Sequence, residues 1–162
     1  MIHALRRLAL PAALCLATTA FAQVPPQANP DQQAMLASGD ARVAANKRLV
    51  YDFWREVFEG GHLEVADKYL AEGYIQHNPH VPTGRAGFVN FFGRFAKPKP
   101  VADRINAPLV AILGEGDMVV LAFAKEYPDP KDATQKYRTT WFDMFRLEGG
   151  KIAEHWDPAL KQ

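Results

Sequence analysis

Asp143 lies in Trp141–Leu147, WFDMFRL, where every other residue except Arg146 is aromatic or aliphatic. Aspartate is depleted in strands, and an unpaired carboxylate is costly to bury. One explanation is a strand-edge acid satisfied by an arginine or by backbone. The functional one is a proton-transfer group in an apolar pocket. Walls of the Trp141 and Phe145 type disfavour the charged form and raise its affinity for a proton, toward the working pH where general acid–base catalysis is efficient. Two histidines could partner it: His155, in KIAEHWDP, and His77, in YIQHNPH.

Around His77, the run Gln76-His77-Asn78 concentrates hydrogen-bonding groups at the end of a short strand, and Asn78-Pro79 turns the chain away. The expected catalytic set is Asp143, His77 and His155. The expected ligand contacts are Asn78, Tyr74, Trp54, Trp141 and Trp156. His77, His80, His155 and Asp157 are metal-ligating types, but no pair has helical i, i+4 spacing and no H-E-x-x-H occurs, so no metal is expected. A phosphate loop, a dinucleotide fingerprint and a G-x-S-x-G elbow are all missing from the sequence, and no cofactor is expected.

These residues need elements to position them. Val50, Phe53, Trp54, Val57 and Phe58 recur at i, i+3, i+4, i+7 and i+8, predicting a helix over Ala44–Glu59 that Gly60-Gly61 ends. Shorter helices are expected at His62–Leu70 and Gly84–Ala96. After Pro100 the pattern becomes strands. Ile105–Leu113 and Met118–Tyr127 flank Gly114–Asp117; Tyr137–Leu147 and Lys151–Trp156 flank Glu148-Gly149-Gly150. Helices first and antiparallel strands later predict an α+β domain: a cone-shaped, curved antiparallel sheet, barrel-like, covered by the N-terminal helices and enclosing a cavity.

The second hairpin decides what faces Asp143. A three-residue loop with Gly150 left-handed pairs Leu147 with Lys151, placing His155 opposite Asp143 and Asp157 opposite Trp141. A two-residue loop puts Glu154 and Trp156 on that face instead, because a one-residue slip inverts the facing. The adjacent glycines favour the first register.

The N-terminus reads as a targeting signal. Arg6 and Arg7 form a basic region, Leu8–Phe21 an apolar run too short to span a membrane, and Ala20-Phe21-Ala22 a cleavage site. The division expected is residues 1–22 signal peptide, 23–43 linker and start of the first helix, and 44–162 the domain. Secretion, most simply to a bacterial periplasm, follows, with no membrane attachment after cleavage. Removing Arg6 and Arg7 takes 19 basic residues to 17 against 18 acidic ones, a net charge of −1. That balance argues against a nucleic-acid partner. The sole cysteine, Cys15, falls in the signal, leaving no thiol chemistry and no disulfide.

YIQHNP, followed by a glycine-bearing helix and then WFDMFRLEGGKIAEHWD, resembles the SnoaL-like polyketide cyclase family, within the nuclear-transport-factor-2-like superfamily. The resemblance covers roughly Ala44–Pro158. It implies a cone of curved sheet closed by helices, usually dimeric. It also implies that Asp143 is the acid/base of a cofactor-free aldol condensation, with His77 and His155 as candidate hydrogen-bonding partners near the substrate. The leading reading is an exported enzyme of aldol-condensing, cyclase or isomerase-like type acting on a small apolar carbonyl compound. The alternative is a non-catalytic periplasmic protein that binds an apolar small molecule.

Overall fold

The computed structural model describes residues 24–161; the expected signal segment lies outside the described residues. Asp40 starts the main helix, its carboxylate accepting from the backbone N–H of Arg42 (2.8 Å) and Val43 (3.3 Å). Helix α1 therefore begins at Ala41, earlier than periodicity predicts, and runs to Phe53. Trp54–Glu59 continue it as a π-helical turn. The wider turn closes an i→i+5 hydrogen bond from Gly60 N–H to the Arg55 carbonyl (2.9 Å), and Trp54 packs on Phe58, four residues on, with ring centroids 4.4 Å apart. Gly61, at φ 73°, ends the element.

The stretch 62–70 is a 3₁₀ turn (Leu63–Val65) leading into α2 (Ala66–Tyr69), and Leu70 already begins strand β1 (Leu70–Gln76). Helix α3 spans Arg85–Phe92. Strands β2 (Leu109–Glu115), β3 (Met118–Pro128), β4 (Lys136–Glu148) and β5 (Lys151–Trp156) follow. They form a five-stranded sheet in the order β1-β5-β4-β3-β2. Three of its pairings are antiparallel as expected, but β1 lies parallel to β5. A connection through α3 and three other strands separates those two, so nothing forces the reversal that a tight hairpin imposes. The sheet is curved, cone-like and unclosed, with β1 and β2 as its edges. Irregular register in three of the four pairings accompanies the bend.

The core lies between the concave face and α1, where Val50, Tyr51, Leu121, Phe145 and Ile152 are almost fully buried. The segment expected as a linker is fastened from Asn29 onward. The Asn29 N–H donates to the Leu109 carbonyl (2.8 Å). Buried Gln32 exchanges two 2.9 Å hydrogen bonds with the Ile105 backbone and accepts from the Tyr51 hydroxyl at 2.8 Å. None of the described helices is long and apolar enough to cross a membrane.

Candidate functional site

The β4–β5 hairpin turns through two residues, Gly149 (φ 56°) and Gly150 (φ 73°), with Glu148 opposite Lys151. Positive φ at both central positions defines a type I′ turn, which glycine enters without strain. The three-residue loop is thus incorrect. Ladder parity nevertheless changes two residues later: Leu147 faces Ile152, while Arg146 faces Glu154 and Phe145 faces His155. One extra residue in β5, Ala153, forms a bulge that inverts the facing beyond it. His155 returns to the concave face with Asp143 and Phe145, while Glu154 and Trp156 go to the outer face.

Asp143 and His155 are 5% and 7% exposed. His155 Nε2 is 3.1 Å from Asp143 Oδ1, and Asp143 Oδ2 has no partner among the described residues. His155 Nδ1 lies 2.9 Å from Gln76 Oε1. That oxygen also accepts from the Asn78 backbone N–H (2.9 Å), and Gln76 Nε2 donates to the Tyr74 hydroxyl oxygen (2.9 Å). A backbone N–H can only donate, so Gln76 must present its carbonyl oxygen there. An amide oxygen can only accept, so His155 carries a proton on Nδ1. The Asp143–His155 hydrogen bond then holds one proton between its two heavy atoms. At the rim, Asn78 Nδ2 donates to Asp157 Oδ2 (2.8 Å), whose other oxygen accepts from Ala159 N–H (2.9 Å).

This network forms one end of a cavity of about 500 Å³. Phe53 and Trp54, with α3's Phe88 and Phe92, wall it opposite the sheet. Trp54 stacks on Phe123 at 4.7 Å, and its buried Nε1–H has no acceptor among the described residues. On the sheet side Lys125 Nζ sits 3.6 Å from the centroid of the Trp141 ring, a cation over an aromatic face.

Of the expected site residues, Asp143, His155, Asn78, Tyr74, Trp54 and Trp141 line this cavity. His77 and Trp156 do not. They stack on each other at 4.7 Å, with planes only 5° apart, and His77 Nε2 contacts Glu154 (3.3 Å) on the outer face. The reason is the strand period of two: Gln76 pairs with His155 on the concave side, so its neighbour points the other way. Gln76, Lys125 and Asp157 line the cavity outside the expected set. Alternation from inward Tyr74 is the signal that picks Gln76 over His77.

Asp143, His155 and Asp157 offer three ligand-type atoms within 4.8 Å of one another, a group able to hold a metal ion in spacing. The Asp143–His155 hydrogen bond occupies His155 Nε2, the ring nitrogen such an ion would need, while Asp143 Oδ2 stays free of it.

The profile of the SnoaL-like domain matches residues 50–155. No curated protein matches the chain. Among solved structures, a polyketide cyclase candidate from Acidithiobacillus ferrooxidans is 20% identical, with a TM-score of 0.50 over 75% of this chain and 89% of its own. A SnoaL-like polyketide cyclase candidate from Jannaschia is 16% identical, also at 0.50, over 75% and 91%. An LEH-like epoxide hydrolase from M. tuberculosis is 12% identical, again at 0.50, over 72% and 83%. At such identities the likeness is one of fold, and the fold alone does not fix the chemistry.

Proposed function

The chain belongs to the SnoaL-like domain family, and on that premise we propose that it is a cofactor-free acid–base enzyme acting on a small, largely apolar carbonyl compound. The observation that carries the reading is a buried Asp143 that lines an apolar cavity and whose Oδ2 has no partner among the described residues. When His155 holds the shared proton, Asp143 is a carboxylate whose Oδ2 can take a proton from the carbon beside the carbonyl. The C–H electron pair becomes the enolate double bond and the carbonyl π pair moves to oxygen. The enolate then attacks a second carbonyl, forming a C–C bond, with Asp143 returning the proton to the new alkoxide. Reprotonation at a different carbon gives the isomerase variant of the same chemistry.

The test is turnover of a panel of carbonyl substrates by the wild type and by Asp143→Asn, with and without EDTA. The expected result is a loss of at least about 100-fold in the variant, and no effect of the chelator. An Asp143→Asn protein that turns over at the wild-type rate overturns the reading in favour of the binding protein that the aromatic walls also suit. Loss of activity in EDTA overturns its metal-free part.

Two further features are part of the proposal. Basic, apolar and small-x-small segments before Gln23 support export; the chain recovered from a periplasmic fraction is expected to begin at Gln23. Exposed apolar residues on the convex sheet face, Phe142 and Leu113 among them, support a homodimer through that face.

A further inference from the structure

Among the described residues the Tyr74 hydroxyl proton has no acceptor. Its phenol is 2% exposed, and its oxygen already accepts from Gln76 Nε2. Gln76 cannot turn over to accept that proton, because its carbonyl oxygen is committed to the Asn78 N–H and to His155 Nδ1. An amide nitrogen is no acceptor. The hydroxyl hydrogen therefore points away from Gln76, and Tyr74 lines the cavity that Asp143 also lines. A hydrogen bond received at the oxygen polarises the O–H and strengthens it as a donor. Burial first, then the charges of Asp157 and Asp143, push the phenol well above its ordinary value. It keeps its proton at neutral pH and acts as a donor, never a base.

We propose that the Tyr74 hydroxyl binds the carbonyl oxygen of the substrate and the enolate oxygen formed from it, with Gln76 as the positioning residue that holds its proton on the cavity side. The inference rests on the proton-abstraction reading above and assigns its electrophilic half. As Asp143 removes the proton from carbon, negative charge grows on the oxygen. A preorganised donor in a water-poor pocket is most effective against charge that develops there. The ligand this site takes is a compound with one hydrogen-bond-accepting oxygen on an otherwise apolar body.

The experiment compares 2-naphthol with 2-methylnaphthalene, which replaces the oxygen by a methyl group of similar size, in equilibrium dialysis against wild type, Tyr74→Phe and Gln76→Glu. Tyr74→Phe is expected to bind 2-naphthol about tenfold more weakly while 2-methylnaphthalene binding is unchanged, which also shows an intact cavity. Gln76→Glu keeps acceptors for Asn78 and His155 but turns a second oxygen toward Tyr74, which captures the phenol proton. The same selective loss is expected. Equal losses for both compounds make Tyr74 a packing residue and overturn the assignment, as does no loss. Wild-type protein that binds neither compound removes the apolar-cavity reading, and the Tyr74 assignment with it. Because the readout is binding, its result is independent of whether Asp143 moves protons.

Discussion

His155 Nε2 approaches Asp143 Oδ1 to 3.1 Å although the residue opposite His155 in the ladder is Phe145. The contact is diagonal, between side chains two positions apart on one face, a separation long side chains readily span. It depends on the bulge at Ala153. Without that extra residue the two-residue turn would present Glu154 and Trp156 to the cavity.

The pair also makes a stability prediction. His155→Leu removes the one partner that the described residues give a buried carboxylate, whose second oxygen has none among them. Breaking a buried pair from one side costs about 3 kcal/mol or more, whereas replacing both members with apolar residues costs far less. Urea unfolding should show His155→Leu strongly destabilised and the Asp143→Leu, His155→Leu double variant less so than the sum of the singles. Strict additivity would mean the two side chains do not interact.

Much of this arrangement is legible from residue types, and the rest fails for identifiable reasons. Asp143 stands out because an acid among aromatics violates strand preference, and the Val50–Phe58 spacing marks a helix whatever surrounds it. The hairpin is harder. Two compensating departures, a shorter turn and a bulge, give the same facing as the three-residue loop, so His155 is found through an incorrect register. No residue in IAEHW marks Ala153 as the bulge, since bulges answer to sheet curvature more than to local sequence. His77 draws attention by its chemistry, yet Gln76 holds the site position. The parallel pairing of β1 with β5 is invisible locally because it joins segments about 80 residues apart.

Gly149 and Gly150 test the turn directly. A β-branched side chain at φ 73° clashes with its own backbone, so Gly150→Val should lower stability by about 1–2 kcal/mol. Gly149→Asn, the residue most at home at the first position of a type I′ turn, should leave stability unchanged or slightly higher. Thermal melts of both variants decide it; two variants melting alike would contradict a left-handed turn.

Phe142 tests the outer face. It stands opposite Ala122 on the convex side of the sheet and is 49% exposed. Phe142→Glu places a charge where a second copy would pack, at no cost to the concave core. Light scattering after size exclusion is expected to show a dimer for wild type and a monomer for the variant, with identical circular dichroism. A wild-type monomer at all concentrations would dispose of the proposed interface.

His62 gives the fold a pH dependence whose sign can be worked out. Its Nδ1 lies 2.8 Å from the Glu64 carboxylate and its Nε2 lies 2.9 Å from the Lys99 carbonyl. Both partners accept only, so both hydrogen bonds are satisfied together only by the imidazolium. The Glu64 hydrogen bond first, then the Lys99 carbonyl, hold its pKa above the ordinary 6.5. A group raised on folding stabilises fully below its unfolded value and loses that contribution as pH rises through the folded one. Glu64 runs the other way. Its own backbone N–H first, then His62, hold it below 4.5, so its contribution is lost as pH falls through its folded value. The pair therefore stabilises most between 4.5 and 6.5, where it also ties the Lys97–Pro100 segment to the end of the π turn. Melting temperature should fall from pH 6 toward about pH 8 in the wild type, and His62→Ala should flatten that slope. The site is exposed, so the slope should shrink in high salt. If His62→Ala keeps the full wild-type slope, some other group controls the alkaline limb.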